Sequence, residues 1–367
     1  MIYLMVVVIF LIGSAIKSNF ILSDVSYSDE SIDSVMIKRE KRWLLFFMII
    51  CALVMGLRAS TVGEDTQRYM SYFNYTSSLP LGSVDIAAMN TGVDIGYAIL
   101  MKIISLVYND YIFFQLMVSI FVCLGYAYYI SKNRIDISIG IAVFLGSGLF
   151  FAAFNTTRQS CALTFFLIAW TFLQERKYVK TFILIIIAVS MHMSAILFAI
   201  PAIIYIFRKH RFIYWVVPST AIIVALFYRR LLIFLASVLP QYSHITDNNN
   251  QYMSVGLSAI VWIIVAAISL LILKKYEKYQ MKEKIYAVCA LFYPFFSSLG
   301  LAVNSFERLG FYFIPFISMV FDCFGKKEFA SNRIIYRVIV CLCFLVWFMI
   351  ASKSYPYELA SLFGGAN

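Results

Sequence analysis

Long apolar runs, separated by short segments that hold most of the charged residues, constrain this chain more than any other feature. The hydrocarbon core of a bilayer is about 30 Å thick, and a helix that crosses it needs about 20 mainly apolar residues. Hydrophobic residues make up 62% of the 367 residues and charged residues only 13%, against about 25% charged in soluble domains. Because so little polar surface cannot cover a water-soluble globule of this size, the sequence predicts an integral membrane protein.

The runs predict an all-α protein with about twelve transmembrane helices in one polytopic domain, residues 1–367. Continuous apolar runs favour helices, because barrel strands alternate every second residue and only helices and closed barrels satisfy the backbone in lipid. The predicted spans are residues 2–16, 43–57, 111–130, 137–154, 160–174, 179–192, 194–207, 212–228, 255–273, 285–302, 309–324 and 335–351.

The distribution of Lys and Arg predicts the orientation of these spans. Every second loop is basic, and these loops together hold 22 of the 30 basic residues. Because cytoplasmic loops are enriched in Lys and Arg, we assign them to the cytoplasm and both termini to the outer side. The basic residues predicted on the outer side are Arg58, Arg68, Lys102, Arg158, Arg229, Arg230, Arg308 and Lys353. Orientation therefore accounts for most of the net charge of +11, and no nucleic-acid partner is predicted.

Two of the predicted outer loops are long. The first, residues 58–110, contains an amphipathic stretch from Ile95 to Tyr108 that is too short to span and is predicted to lie in the membrane interface. The second, residues 229–254, passes from an apolar stretch into a polar tract and is predicted to act as a lid. The inner loops are short and contain no phosphate-binding glycine motif, which disfavours ATP-driven transport and chemistry on a cytoplasmic nucleotide-sugar.

Arginines on the outer side need an explanation other than orientation. Arg58, Arg158 and Arg308 each lie at the membrane end of a predicted span. The guanidinium fork suits phosphate oxygens and keeps its charge when partly dehydrated, so these residues predict a site for a lipid phosphate or pyrophosphate. Their polar neighbours in the sequence are Asp65, Asn155, Gln159 and Glu307. The alternative is interfacial anchoring or ordinary salt bridges, above all between Glu307 and Arg308.

Three side chains on the predicted outer face are candidates for a general base: Asp65, Glu307 and His192. His192 is one of only 3 histidines and lies at an outer apex between two apolar runs. Tyr69 and Tyr97 are candidates for stacking on sugar rings, with packing in an interfacial aromatic belt as the alternative. No cluster of His, Cys, Asp and Glu has metal-ligand spacing, so neither a metal nor another cofactor is predicted.

Short motifs follow one another along the predicted outer side. They are Gly56-Leu-Arg58; Gly63-x-Asp65-Thr66 with Tyr69 and Tyr72; Asp94-x-Gly96-Tyr97; Asn155-x-x-Arg158-Gln159 with Ala162; His192-x-Ser194-Ala195 before Pro201; and Arg308 with Tyr312 and Phe313. In this order they resemble the EpsG-like branch of the Wzy polysaccharide polymerases, and the resemblance runs from the second span to the eleventh. The chain has Asp94 where the family pattern leads us to expect Glu.

The resemblance implies a metal-independent glycosyltransferase of the bacterial plasma (inner) membrane, which polymerises O-antigen or capsular repeat units. Such an enzyme transfers the growing glycan from its polyprenyl pyrophosphate to the non-reducing end of another lipid-linked unit at the outer face. The implied partners are a polyprenyl-pyrophosphate-linked oligosaccharide, the lipid bilayer and, as a further candidate, a chain-length regulator. The implied roles are pyrophosphate binding by Arg158, Arg308 and Arg58, and activation of the acceptor hydroxyl by Asp65 or His192, in that order of preference.

Three other functions compete with a polymerase. A flippase for the same lipid-linked oligosaccharide predicts charges deep in the spans along a central path, whereas the charges here cluster near one predicted face. A single-sugar transferase with polyprenyl-phosphate donors predicts acidic residues in the first outer loop, which Glu64 and Asp65 supply. A membrane acyltransferase is a weaker alternative that rests only on Arg and His near the membrane face.

Overall fold

The protein is all-α, which confirms the fold class predicted from the apolar runs. This computed structural model describes residues 1–23, 30–216, 219, 227, 230, 258–300 and 304–360. Its secondary structure is 83% helical, with no strand in the described ranges, and an isolated antiparallel bridge joins Arg58 to Leu359. Contacts divide the chain into two compact units, and the interpretation of residues 1–367 as one polytopic domain stays a prediction.

The first unit comprises Met1–Ile196 and Ile334–Asn367. Its described α-helices are α1 Ile2–Ser23, α2 Glu30–Gly56, α3 Thr66–Ser78, α4 Val84–Thr91, α5 Ile95–Val107, α6 Tyr111–Asn133, α7 Ile137–Gly146, α8 Leu149–Asn155, α9 Thr157–Gln174 and α10 Tyr178–Met191. The C-terminal helix, Arg333–Ala351, belongs to this unit from its second residue onward. Short 3-10 helices lie at Leu81–Ser83 and Ser352–Ser354, and a third, Met193–Phe198, crosses the boundary of the unit at Ile196.

The second unit comprises Leu197–Arg333. Its described helices are α11 Ala199–Ile206, α12 Ser258–Lys274, α13 Met281–Ala290, α14 Phe292–Gly300, α15 Asn304–Leu309 and α16 Ile314–Glu328, with a 3-10 helix at Gly310–Phe313 between the last two. The C-terminal helix Arg333–Ala351 is α17. Most of the predicted span 212–228 and nearly all of the predicted lid 229–254 lie outside the described residues.

Three described helical stretches are long and apolar enough to cross a membrane: Tyr111–Asn133, Phe306–Glu328 and Arg333–Ser354. A fourth candidate is the pair α7 and α8, which fills the predicted span 137–154 but bends by 43° between Gly146 and Leu149. Other apolar helices coincide with predicted spans but are shorter; α10 has 14 residues, about 21 Å against a hydrocarbon core of about 30 Å. The predicted number of twelve spans is therefore not confirmed.

Helical structure also extends beyond the apolar runs into the predicted inner loop 17–42. Helix α1 continues to Ser23, and α2 begins at Glu30, well before the predicted span start at residue 43. Once a helix has nucleated, each further residue adds a backbone hydrogen bond, so an apolar helix propagates into polar sequence. The apolar run therefore predicted the helix but not its ends.

The predicted outer loop 58–110 contains helices α3, α4 and α5. Helix α5 coincides with the predicted amphipathic stretch and turns one apolar face outward, at Ile95, Ile99, Ile103 and Leu106. Lys102, on the other face, is buried, and its ammonium group donates hydrogen bonds to the carbonyl oxygens of Ser77, at 2.8 Å, and Leu79. The only charge in the helix is therefore turned away from its exposed face, as an interfacial position requires.

Candidate functional site

Asp94, Arg158 and His192 meet at one point of the first unit; we call these three residues the Asp94 cluster. Asp94 immediately precedes α5, Arg158 lies in the first turn of α9, and His192 immediately follows α10. Nη1 of Arg158 donates a hydrogen bond to Oδ2 of Asp94, with 3.1 Å between the two atoms, and Nδ1 of His192 lies 3.2 Å from the same oxygen. One carboxylate oxygen therefore holds both a guanidinium and an imidazole.

Close packing of α5 against α10 brings Asp94 to His192. A Cβ atom added at Gly96 would lie 2.8 Å from the backbone carbonyl oxygen of Ser190 and 2.3 Å from its Oγ, so only glycine allows this approach. Asp94 occupies the N-cap position of α5 without a side-chain cap hydrogen bond, which leaves its carboxylate available. His192 leaves α10 with extended backbone, φ −161° and ψ 123°.

The Asp94 cluster is partly open to solvent. The side chains of Arg158, Asp94 and His192 are 24%, 23% and 31% exposed. Burial raises the pKa of the Asp94 carboxyl, but the hydrogen bond from His192 and the charges of His192 and Arg158 outweigh it, so the pKa lies below its usual value. Asp94 is therefore ionised at neutral pH and acts only as a hydrogen-bond acceptor.

Tyr69 borders the cluster and belongs to the core around it. Burial raises the pKa of its hydroxyl, while the charge of Arg158 and a hydrogen bond with it act in the opposite direction. Its ring lies 5.9 Å from that of Tyr97, which is fully buried. Both rings were candidates for stacking on sugars, with packing as the alternative; the structure buries both, and the sugar-stacking role stays a prediction.

Asp65 lies within electrostatic reach of the Tyr69 hydroxyl. Its carboxylate raises the pKa of the Tyr69 hydroxyl through its charge, and it pairs with Arg68 at 3.3 Å. The Arg68 side chain is 66% exposed and the Asp65 side chain 20%. The structure thus brings Asp65 near the border of the cluster but engages its carboxylate with a surface arginine.

Arg58 has an environment of a different kind. Its guanidinium donates hydrogen bonds to the carbonyl oxygens of Met55, Val62, at 3.3 Å, and Phe154, at 3.4 Å, and lies 4.5 Å from the centroid of the Phe154 ring. The residue is only 2% exposed. Gln115 also donates to the Arg58 carbonyl oxygen at 3.0 Å. These contacts close the loop between α2 and α3 and engage each of the three guanidinium nitrogens of Arg58, and its predicted role in binding pyrophosphate stays a prediction.

Asn155 connects the same loop to the C-terminal segment. Its Oδ1 accepts the backbone N–H of Glu64 at 2.9 Å, and its Nδ2 lies 3.2 Å from the hydroxyl of Tyr355. Gly63 makes the turn beside it with φ +98°, a conformation that L side chains rarely adopt. Gln159, the other predicted polar neighbour of Arg158, is buried. Both residues are therefore buried inside the first unit, and their predicted roles in substrate binding stay predictions.

Glu307 and Arg308 belong to α15 of the second unit. Glu307 is partly buried and lies within electrostatic reach of the exposed Arg308. Local charge compensation was the alternative weighed from the sequence, and it stays a prediction for this pair. Their predicted roles in substrate binding stay predictions.

Asp94 is the functional candidate that reasoning from the sequence missed. It was part of a family motif but had no assigned role, because no neighbour in the sequence pairs with it. The available signal was Gly96, two residues later, since a glycine in the first turn of an apolar helix indicates close packing against another backbone. Within the described residues, no group of three or more His, Cys, Asp and Glu side chains is arranged to hold a metal ion.

Comparison with known proteins identifies one family. A family model described as the EpsG family matches residues 41–359, which include the whole Asp94 cluster as well as Arg58, Asp65 and Arg308. No curated protein and no solved structure matches the chain.

Proposed function

The chain belongs to the EpsG family, and on this premise we propose that it polymerises lipid-linked oligosaccharide repeat units at the outer face of a membrane. The family is associated with glycosyltransferase activity, and the apolar helices fit a membrane protein of polysaccharide biosynthesis. The proposed donor is a glycan on polyprenyl pyrophosphate, and the acceptor is the non-reducing sugar of a second lipid-linked unit. A chain-length regulator is a candidate partner.

The observation that carries the proposal is the Asp94 cluster. It combines a cation suited to phosphate oxygens, Arg158, with an imidazole that can act as a general base, His192, and holds both at one partly exposed carboxylate. Transfer from a pyrophosphate needs both functions: charge stabilisation for the leaving group and a base for the attacking hydroxyl.

In the proposed reaction, the oxygen of the acceptor hydroxyl forms a bond to the anomeric carbon of the donor glycan. The bond between this carbon and the pyrophosphate oxygen breaks, and the polyprenyl pyrophosphate leaves with the electron pair. The imidazole of His192 takes the hydroxyl proton, and Arg158 stabilises the charge that develops on the leaving pyrophosphate. Guanidinium groups suffice for this stabilisation, so the proposal needs no metal or other cofactor.

The geometry favours His192 over Asp65 as the base. His192 lies within the cluster that also holds Arg158, whereas Asp65 pairs with the exposed Arg68. Arg58 lies among backbone carbonyl oxygens, which favours a role in holding the loop ahead of α3. Binding of pyrophosphate by Arg308, with Glu307 beside it, remains part of the proposal on the strength of its motif.

The proposed topology places the Asp94 cluster outside the cytoplasm. Helices α9 and α10 pack along each other; Arg158 and His192 lie at one end of the pair, and Arg176, Lys177 and Lys180 lie at the connection at the other end. Because basic connections stay in the cytoplasm, this arrangement supports an outer site. About twelve spans, both termini outside and a bacterial plasma (inner) membrane complete the proposed topology.

Deletion of the gene, followed by sizing of the surface glycan on gels, tests the reaction class. We expect a ladder of long chains to collapse to single repeat units displayed outside. Repeat units stranded in the inner leaflet would overturn the proposal in favour of a flippase. Repeat units that each lack one sugar would favour the single-sugar transferase.

Complementation of the deletion tests the site. Arg158→Ala and His192→Gln, at wild-type abundance in the membrane, are expected to restore no long chains. The exposed Lys353 provides a matched control, because Lys353→Ala also removes a positive charge from the predicted outer side. Full-length polymer from Arg158→Ala would contradict the assignment of this residue to the pyrophosphate.

A further inference from the structure

We propose that Asp94 is a positioning residue, which holds His192 in the tautomer that carries its proton on Nδ1 and presents Nε2 to the acceptor hydroxyl. This inference rests on the proposed function, because it names the atom that takes the proton in that reaction. It concerns a residue with no contact to substrate, so its effect on the reaction passes through His192.

The tautomer follows from the chemistry of the two partners. An ionised carboxylate has no hydrogen to donate, and neutral imidazole has one donor and one acceptor nitrogen. Because Nδ1 of His192 lies 3.2 Å from Oδ2 of Asp94, Nδ1 must be the donor in this hydrogen bond. The acceptor lone pair is then on Nε2, the nitrogen that does not face Asp94.

Asp94 also has contacts other than His192 that favour its ionised form. Nη1 of Arg158 lies 3.1 Å from the same carboxylate oxygen, and the backbone N–H of Met193 also hydrogen-bonds to the carboxyl. Burial raises the pKa of Asp94, the hydrogen bond and charge of His192 contribute most to lowering it, and Arg158 and the Met193 N–H lower it further. The charged side chains that face His192 from the packed helices in the described part of the chain are Asp94, ahead of α5, and Arg158 on α9.

Arg158 is fixed at the same time. Its Nη1 also donates to the carbonyl oxygen of Gly92 at 3.1 Å. The Gly92 carbonyl and the Asp94 carboxylate, both just ahead of α5, therefore hold Nη1 of the guanidinium group. Its side chain is 24% exposed, which leaves part of it open to an anion. The Gly92 carbonyl oxygen still accepts from Arg158 when Asp94 is substituted, so the effect of Asp94 on the reaction is proposed to pass through His192.

After proton transfer, the same contact stabilises the product state. Imidazolium carries hydrogens on both nitrogens, so the Nδ1 hydrogen bond becomes an ion pair with Asp94 while Nε2 holds the proton taken from the acceptor. This proton then passes to water, and His192 returns to its neutral form. Arg158 is not consumed in the cycle, and no further reactant is required.

The direct test is nitrogen NMR of the full-length protein in lipid nanodiscs, with ¹⁵N-labelled histidine. The chain has only 3 histidines, so His210→Gln and His244→Gln leave His192 as the only signal. At neutral pH we expect a protonated Nδ1 and an unprotonated Nε2, which differ strongly in chemical shift. A predominant Nε2–H tautomer in the otherwise wild-type protein would overturn the proposal.

Asp94→Asn is the decisive variant, because an amide can donate to Nδ1 and so stabilise the other tautomer. We expect the Nε2–H form to become populated and polymerisation to slow by about 10²- to 10⁴-fold, the range of general-base catalysis. Asp94→Glu keeps the carboxylate and is expected to retain the Nδ1–H form and part of the activity. Asp85→Asn, an equal charge change at an exposed position in the first turn of α4, is the matched control. An unchanged tautomer in Asp94→Asn would contradict the inference.

A double-variant comparison separates positioning from a purely structural role. If Asp94 acts through His192, then Asp94→Asn should slow a His192→Gln protein by less than about 3-fold, because effects of residues that act as a unit are not additive. Full additivity would overturn the inference. The NMR result does not depend on activity: a wild-type protein with the Nδ1–H tautomer but no polymerase activity would refute the proposed function alone.

Discussion

Arg58 and Arg158 are both predicted from the sequence to lie on the outer side, but the structure gives them different surroundings. Arg58 is almost fully buried and donates to main-chain carbonyl oxygens; in the described residues it forms no ion pair. Arg158 is partly exposed and pairs with the carboxylate of Asp94, which also contacts His192. Residue type and predicted side of the membrane therefore do not distinguish a scaffold arginine from a site arginine.

The two arginines differ in how far their guanidinium hydrogens remain available to a ligand. A buried guanidinium whose hydrogens are used by carbonyl oxygens has little to offer a ligand, and removing it exposes unsatisfied acceptors. A guanidinium held by a carboxylate at a partly open position keeps hydrogens for an incoming anion and can exchange partners. The comparison predicts that Arg58 matters mainly for stability and Arg158 mainly for the reaction.

The largest expected effect is on the rate at Arg158. Arg158→Ala should reduce polymerisation at least about 10³-fold, because it removes charge stabilisation from the leaving pyrophosphate. The measurement is glycan chain length and rate of repeat-unit consumption in membranes with matched protein levels. Arg158→Lys should recover little, since lysine lacks the planar fork. A loss of less than 10-fold would contradict the distinction between the two arginines.

The next effect is on stability at Arg58. Arg58→Met should lower the free energy of unfolding by about 2 kcal/mol, because each buried carbonyl left without a donor costs about 1–3 kcal/mol while removal of a buried charge offsets part of this. Thermal unfolding of the purified protein in detergent measures the change. The polymerase activity per folded molecule should be higher in Arg58→Met than in Arg158→Ala. If Arg58→Met lost as much activity as Arg158→Ala while its free energy of unfolding stayed unchanged, the result would indicate that Arg58 binds substrate.

Acid should affect the Asp94 cluster but not the surroundings of Arg58. The folded-state pKa of Asp94 is lowered, so its ion pairs contribute stability above the ordinary pKa of a carboxyl, and this stability is lost as the pH falls through the lower, folded-state pKa. The carbonyl partners of Arg58 do not titrate. Thermal unfolding at neutral and acidic pH should therefore show a smaller acid-induced decrease in Asp94→Asn than in the wild type. An identical decrease in both proteins would count against this assignment.

The smallest expected effect is at Asp65. Its partner Arg68 is 66% exposed, so Asp65→Asn should change the free energy of unfolding by less than about 1 kcal/mol and the rate by less than about 10-fold. His192→Gln provides the comparison in the same polymerisation assay. A loss at Asp65 as large as that at His192 would restore Asp65 as the preferred base, as the order of preference from the sequence had it.

The sequence predicted much of the fold because its signals are local. An apolar run predicted α6, and the amphipathic stretch predicted in the outer loop coincides with α5. The bend between α7 and α8, and the extension of α2 to Glu30, were not predicted. Hydropathy reports where a chain is apolar, whereas helix ends and bends depend on packing and on helix propagation into polar sequence.

For the candidate site, the sequence by itself indicated the membrane class and the candidate residues. These were the arginines of the predicted outer side, His192 and Asp65, in the order of a family pattern. Only the tertiary structure decided the partnerships, because Asp94 lies 64 residues from Arg158 and 98 from His192 along the chain. Composition and spacing carry no information about which of several arginines will meet a carboxylate at that separation. The pairing depends on close approach of α5 to α10 at Gly96, and burial, which separates Arg58 from Arg158, is likewise a property of packing.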